Sequence, residues 1–111
     1  MPNRNYISGR NFEYRVQAYL RKKGFYVIRQ YASKGLVDLV AVYPSRGDFY
    51  NLTLMIQCKS NGYVPPDEMK KLLECEKRWQ GWIIIAYKDE NKHIAFKTLD
   101  GKRLSKEFPS T

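Results

Sequence analysis

Apolar positions follow a helical period near the start of the chain and strand-like runs after it. The helical period predicts a first helix from Ser8, whose side chain suits an N-cap, to about Lys23, with Gly24 ending it. The apolar stripe of this helix consists of Phe12, Val16, Tyr19 and Leu20.

Three short runs rich in β-branched and aromatic residues follow the helix and predict strands. They span residues 25–29, 36–43 and about 50–60. A polar loop at 30–35 separates the first two, and a turn at 44–48 joins the second to the third. We therefore expect an antiparallel meander.

The second half of the chain predicts a crossover helix between two further strands. Pro65 and Pro66, followed by two acidic residues, begin the helix, and Gly81 ends it. The inner face of this helix is predicted to consist of Met69, Leu72, Leu73 and Trp79. The continuous apolar run at 82–87 is typical of a strand covered on both faces, and a last strand is predicted at 93–98. The order α-β-β-β-α-β-β predicts an α/β fold, a mixed β-sheet flanked by helices.

Size and composition indicate one folded domain. With 111 residues, 43% of them hydrophobic, the chain has enough material for one core and too little for two. Residues 1–7 are expected to form a loosely ordered basic leader, and residues 100–111 a loosely ordered tail. The sequence contains neither a secretory signal nor an apolar run of membrane-spanning length, so we expect a protein inside a cell.

The charge balance points to a polyanionic partner. Twenty Lys and Arg residues against 11 Asp and Glu residues give a formal net charge of +9. Nucleic acid is the first candidate and an anionic membrane surface the second. The alternative is a basic surface that only keeps the protein in solution.

The two cysteines, Cys58 and Cys75, argue against a zinc knuckle because neither belongs to a CxxC pair. Both are predicted to be free, buried thiols in a reducing compartment. A disulfide between them is the alternative.

Polar residues interrupt two neighbouring predicted strands and suggest chemistry. Asp38 lies in the second strand, and Gln57 and Lys59 lie two residues apart, on one face of the third. Mg²⁺ binds carboxylate, amide and carbonyl oxygens, so Asp38, Gln57 and the main-chain carbonyl of Cys58 are candidate ligands. Lys59 would orient an attacking water or stabilise developing negative charge, as phosphodiester hydrolysis requires.

Each of these residues also has a purely structural explanation. Asp38 and Lys59 would form an ion pair at the strand edge, and Gln57 and Lys59 would be the polar end of the third strand. Glu13 would be an acid in the first turn of the first helix. In the alternative, its carboxylate would point back at the strand residues and join the metal site.

Several segments together resemble the archaeal Holliday junction resolvases, which belong to the PD-(D/E)xK nuclease superfamily. The resemblance is close over residues 7–60 and looser through the second helix and the strand at 82–87. It is carried by residues 9–13, 20–25, 27–29, 32–33, 37–41 and 56–60.

This resemblance implies a restriction-endonuclease-like fold and an Mg²⁺-dependent endonuclease, with Mn²⁺ as an alternative metal, that cuts four-way DNA junctions in recombination and repair. It implies a homodimer without a small-molecule cofactor, in the cytoplasm of an archaeal cell or of the archaeal host of a virus. Glu13 matches a metal or water-network acid, Ser33 a loop serine that acts on the scissile phosphate, Asp38 the metal-binding aspartate and Lys59 the catalytic lysine.

The chain departs from the family pattern at two positions. Gln57 stands where the family has glutamate, and Val37 where it has proline. Glutamine keeps an oxygen donor but removes one negative charge, so we expect weaker metal binding. Gln57 keeps open a DNA-binding relative with weakened catalysis. A related nuclease for other branched, nicked or single-stranded DNA is a separate alternative.

Phosphate contacts and the dimer surface are predicted from basic and apolar residues. The candidates for dimer contacts are Trp79 and Phe96, with core packing as the alternative. The candidates for DNA contacts are Arg4, Arg10, Arg15, Arg29 and Lys34.

Overall fold

The computed structural model describes residues 4–30, 37–43, 52–78 and 82–105. These residues form helices and strands in the predicted order, α-β-β-β-α-β-β. The elements are α1 (Arg4–Lys22), β1 (Tyr26–Arg29), β2 (Leu39–Tyr43), β3 (Leu52–Cys58), α2 (Pro66–Arg78), β4 (Trp82–Lys88) and β5 (Ile94–Thr98).

The five strands form one mixed sheet in the order β1-β2-β3-β4-β5. β1, β2 and β3 pair antiparallel, β3 and β4 pair parallel, and β5 returns antiparallel to β4. The parallel pair is joined through α2, as a crossover connection requires. The predicted meander and the predicted crossover are both confirmed.

The helices cover opposite faces of this sheet. Phe12, Val16 and Leu20 of α1 pack on the face that contains Leu54 and Ile56. On the other face, Leu72 of α2 packs in a second cluster with the side chains of Val37, Met55, Val64, Ile83, Ile85 and Leu99. β4 is buried on both faces because successive residues contribute to the two clusters, as its continuous apolar run predicts.

Helix α1 begins at Arg4, four residues before the predicted N-cap Ser8, so residues 4–7 are helical and do not belong to a loose leader. No glycine or proline lies between Arg4 and Ser8 to stop the helix. The predicted end is confirmed. Gly24 adopts a φ of +100°, and the Phe25 N–H donates to the Leu20 carbonyl at 3.1 Å, the bond of a Schellman cap.

The inner face of α2 differs from the prediction at one residue. Leu72 is 2% exposed, whereas Leu73, expected on the same face, is 42% exposed. Met69 contacts the Leu72 cluster as predicted, and Cys75 contacts it in place of Leu73, because positions three apart share a helix face. Trp79 lies outside the described residues.

Phe96 follows the core-packing alternative, and the predicted loose tail is contradicted for residues 100–105, whereas residues 106–111 lie outside the described part of the chain. Phe96 is 3% exposed and packs in the α1-side core, with its ring centroid 5.8 Å from that of Tyr19, so it is not available for a dimer contact. Residues 100–105 are not a loose tail, because the Leu104 N–H donates to the Phe96 carbonyl at 2.8 Å and the Leu104 side chain packs on the same core.

Strand β2 is shorter than predicted, since it begins at Leu39 and leaves Val37 and Asp38 in front of it. Cys58 and Cys75 are both free thiols, and each is half-buried. Within the described ranges, neither helix is long and apolar enough to cross a membrane.

The face of α2 can be tested with two neighbouring leucines. We expect Leu72→Ala to lower the free energy of unfolding by about 2–5 kcal/mol, because it opens a cavity in a closed cluster. Leu73→Ala should change it by about 0.5 kcal/mol or less, since that side chain is largely in solvent. Chemical denaturation measures both, and equal losses would contradict this packing.

Candidate active site

Four of the five predicted catalytic residues meet in one cleft of about 260 Å³ beside α1 and the ends of the first three strands. They are Glu13 from α1, Asp38 in front of β2, Gln57 in β3 and Lys59 directly after it. The full lining is Gly9, Arg10, Glu13, Arg29, Asp38, Gln57, Cys58 and Lys59.

Sheet pairing brings Asp38 to the end of β3. The pairing of β2 with β3 ends with Leu39 opposite Ile56, so Asp38, directly before Leu39, lies beside the residues that follow Ile56. The cleft contains both Gln57 and Lys59 from that end of β3. Regular pairing stops here, because the Asp38 N–H donates to the Ile56 carbonyl.

The carboxylate of Asp38 is fixed by the main chain of β3. Its Oδ2 accepts the Cys58 N–H at 2.8 Å, and its own N–H donates to the Ile56 carbonyl at 3.0 Å. In a strand, the N–H and C=O of one residue point to the same neighbour. The Cys58 carbonyl therefore faces the same gap as its N–H, on the Asp38 side of β3.

The environment of Asp38 disfavours its negative charge. Burial raises the pKa of this carboxyl most, and the charges of Glu13 and Glu68 raise it further. The Cys58 N–H and the Lys59 ammonium act in the opposite direction and do not cancel the rise. A cation placed in the cleft would relieve this repulsion, so the site favours positive charge beside Asp38.

Glu13 lies in the middle of α1 and not in its first turn, which excludes the helix-terminal explanation for this acid. Its Oε1 accepts a hydrogen bond from Arg29 Nε at 2.8 Å. Arg29 ends β1, and its guanidinium lies 5.3 Å from the ring centroid of Tyr14. Glu13 therefore points back at the strands, held by a cation that itself lines the cleft.

Lys59 does not pair with Asp38, contrary to the structural alternative considered above. Its Nζ lies 2.8 Å from Oε2 of Glu68, in the first turn of α2. In the sequence, Glu68 is recognisable only as a helix-starting acid. The only sign there of its contact with Lys59 is an acid nine residues after the lysine. Whether the two side chains meet depends on the path of the loop between them, which the sequence pattern does not predict.

The donor set fits a hard divalent cation. No group of three or more His, Cys, Asp or Glu side chains in the described ranges is arranged to hold a metal. The residues that line the cleft can offer oxygens of mixed kind: the carboxylates of Asp38 and Glu13, the amide of Gln57 and the main-chain carbonyl of Cys58. Oxygen donors of this kind suit Mg²⁺ and Mn²⁺.

The thiol of Cys58 is not part of this donor set. Burial, followed by the charges of Asp38 and Glu13, raises its pKa, so the thiol stays protonated at neutral pH. Only the main chain of Cys58 has oxygen to offer.

The predicted DNA-contacting cations are divided between two places. Arg10 and Arg29 line the cleft. Arg15 lines a separate cavity of about 490 Å³ beside the β4–β5 turn, where its Nη2 donates to the Lys92 carbonyl at 3.3 Å. The side chain of Arg4, and Ser33 and Lys34 as a whole, lie outside the described part of the chain.

Comparison with known proteins agrees with this architecture. A solved structure of a Holliday junction resolvase from the archaeal hyperthermophile Archaeoglobus fulgidus superposes with a TM-score of 0.62 at 24% sequence identity, over 84% of this chain and 74% of that one. It shows the same fold. No curated protein matches this chain.

A family model gives the assignment. The model described as archaeal Holliday junction resolvase matches residues 4–107, which include both helices, all five strands of the described structure and every residue of the cleft. The chain therefore belongs to the archaeal Holliday junction resolvase family.

Proposed function

We propose that this protein is an Mg²⁺-dependent endonuclease that resolves four-way DNA junctions by paired phosphodiester hydrolysis. The observation that carries the proposal is the cleft in which Glu13, Asp38, Gln57 and Lys59 come together. The family assignment supports nuclease activity, and the similar structure is that of a Holliday junction resolvase.

Asp38, Gln57, Glu13 and the Cys58 carbonyl are the proposed metal ligands. Asp38 Oδ2 accepts the Cys58 N–H, and this hydrogen bond fixes the direction of the carboxylate. When bound, Mg²⁺ would stabilise charge on the phosphate and lower the pKa of water.

Lys59 is the proposed catalytic cation. Its Nζ would orient the attacking water or donate to the oxygen on which negative charge develops. Ser33, on the strength of the family resemblance, is the proposed partner of the scissile phosphate. Arg29 is bound to Glu13 and lies at the cleft, so it can exchange that carboxylate for a phosphate.

DNA binding is proposed to be sequence-independent and salt-sensitive. The net charge of +9 supports this, as do Arg10 and Arg29 at the cleft. Arg4, Arg15 and Lys34 are proposed as more distant phosphate contacts. A homodimer is proposed because two symmetric nicks require two clefts, and C₂ dimers are the commonest oligomers.

Gln57 favours a second candidate function, a DNA-binding protein with weakened catalysis. A neutral amide in place of a carboxylate gives the metal one charge less. Against this stands the cost of keeping Asp38 and Glu13 near each other, since DNA binding alone needs no acids facing phosphates.

A junction-cleavage assay tests the proposed function. A synthetic four-way junction and a linear duplex of the same sequence are incubated with the protein in Mg²⁺ or in EDTA. We expect paired nicks in the junction only, and only with Mg²⁺. Lys59→Met should lower the single-turnover rate by about 10²–10³-fold, because it removes a donor to developing charge.

Lys70→Met is the matched control, since it removes the same charge from an exposed position of α2 outside the cleft. A gel shift without cleavage, in both Mg²⁺ and Mn²⁺, would reject the nuclease in favour of the DNA-binding relative. Cleavage of nicked or single-stranded DNA in preference to the junction would reject the junction as the substrate.

Gln57→Glu tests the metal ligand. Because it adds a carboxylate to the cleft, we expect it to lower the Mg²⁺ concentration for half-maximal cleavage by up to about tenfold. Asn61→Asp adds the same charge at an exposed loop position outside the cleft and should leave the Mg²⁺ requirement nearly unchanged. No change, or a rise, for Gln57→Glu would count against Gln57 as a ligand.

The raised pKa of Asp38 gives a prediction about stability. Between the ordinary value of 3.8 and the raised one, the folded protein binds more protons than the unfolded chain. The free energy of unfolding therefore falls as pH rises through that window. In EDTA at neutral pH, Asp38→Asn should unfold at a higher temperature than the wild type, with the difference shrinking as pH is lowered through the window.

Thermal unfolding followed by circular dichroism measures this, and saturating Mg²⁺ provides the internal comparison. The metal should raise the unfolding temperature of the wild type and leave that of Asp38→Asn almost unchanged. A wild type more stable than the variant in EDTA at neutral pH would refute the electrostatic strain at Asp38.

A further inference from the structure

We propose that Glu68 is a positioning residue of the active-site cleft: it orients Lys59 and offsets the lysine's charge at a site where Gln57 has replaced a carboxylate. The inference rests on the proposed function, since it concerns the same metal site. Neither the family match nor the cleft lining assigns any role to Glu68.

The contact joins two segments that are each anchored. Lys59 follows β3, and its N–H donates to the Ala86 carbonyl of β4 at 2.9 Å. Glu68 lies in the first turn of α2, which is fixed to the sheet by Leu72. The 2.8 Å ion pair between them therefore connects α2 to the end of β3 directly beside the cleft.

The loop between the two residues is also tied down. The Gly62 N–H donates to the Lys59 carbonyl at 2.7 Å, and the Gly62 carbonyl accepts from Lys97 Nζ at 2.6 Å. Gly62 has a φ of +77°, which suits glycine. The loop that connects Lys59 to Glu68 is therefore held in place by these hydrogen bonds.

Orientation is the first consequence of this contact. A lysine side chain has four rotatable bonds, and holding it in one conformation costs about 1.5–2 kcal/mol of entropy. The side chain of Lys59 is 24% exposed, so without a partner it can turn towards solvent. The carboxylate of Glu68 holds Nζ in one place before the substrate arrives.

Charge is the second consequence. In the cleft, the charge of Glu13 is balanced by its ion pair with Arg29. Gln57 is neutral, so Asp38 is the one carboxylate of the lining without a paired cation among the described residues. An uncompensated Lys59 beside Asp38 would oppose a divalent cation. Glu68, whose Oε2 lies 2.8 Å from Lys59 Nζ, offsets that positive charge.

The alternative is that Glu68 only stabilises the N-terminus of α2, as acids in a first helical turn do. Asp67, its neighbour in the same turn, is exposed and does not line the cleft, so it provides a matched control. Both acids serve the helix terminus, whereas only Glu68 contacts Lys59.

The test compares the wild type, Glu68→Gln, Asp67→Asn, Gln57→Glu and the double variant Glu68→Gln/Gln57→Glu. Two quantities are measured for each: the Mg²⁺ concentration that gives half of the maximal thermal stabilisation, and the single-turnover rate of junction cleavage at saturating Mg²⁺. The first needs no cleavage, and it also reports whether each variant folds. Junction affinity in Ca²⁺ is a third reading.

We expect Glu68→Gln to raise the Mg²⁺ midpoint by about tenfold, the effect of one unit charge at a partly exposed site. It should also lower the cleavage rate without weakening junction affinity, and Asp67→Asn should change the midpoint less than about twofold. Gln57→Glu should lower the midpoint more in the Glu68→Gln background than in the wild type, because a nearby carboxylate then offsets Lys59 again.

Equal effects of Glu68→Gln and Asp67→Asn, or equal effects of Gln57→Glu in both backgrounds, would overturn the inference and leave the proposed function standing. A wild type that binds Mg²⁺ without cutting the junction would reject the proposed function, while the Mg²⁺ midpoints would still decide the role of Glu68. A wild type without any Mg²⁺ response would reject both.

Discussion

The hydrogen bond from the Cys58 N–H to the Asp38 carboxylate, 2.8 Å long, is the constraint on which the cleft depends. It forms where β2 and β3 cease to pair, so a side-chain oxygen replaces the backbone acceptor that a continuing ladder would supply. This hydrogen bond satisfies the Cys58 amide. It also holds the half-buried Asp38 in place, although burial favours the neutral form of that carboxyl. The candidate metal site is therefore the end of a sheet ladder.

Around the Asp38 carboxylate, other charged side chains form ion pairs that can open when a metal or a phosphate binds. Glu13 with Arg29, and Lys59 with Glu68, are ion pairs whose members are all partly exposed. Pairs of this kind contribute little to stability, about 0–1 kcal/mol each, so breaking one costs little. The two helices each contribute one acid, from opposite faces of the sheet. These pairs depend on how the two helices pack, whereas Asp38 is held by the main chain of the neighbouring strand β3.

This difference explains what the sequence could and could not predict. Strand parity predicts that Gln57 and Lys59 lie close together, and both line the cleft. Asp38 is predicted within the second strand and lies directly in front of it, beside the end of β3. The contact between Lys59 and Glu68 depends on the path of a loop, which periodicity does not encode. The same limit applies to Leu72 and Leu73, where an apolar pair on a helix does not reveal which member faces the sheet. Helix α1 began earlier than predicted because Ser8 suits a cap without being obliged to form one.

If Gln57 stands in place of a glutamate, as the family resemblance implies, its effect on the proposed metal site depends on the charge balance of the whole cleft. A metal site responds to the field of all nearby charges, so a lost carboxylate can be offset by neutralising a neighbouring cation. Glu68 does this for Lys59 from outside the short motif, and its helix is anchored by Leu72. The amide of Gln57 then needs to provide only an oxygen. The short motif of Asp38, Gln57 and Lys59 therefore does not contain all the negative charge that acts on the site, because Glu68 belongs to α2.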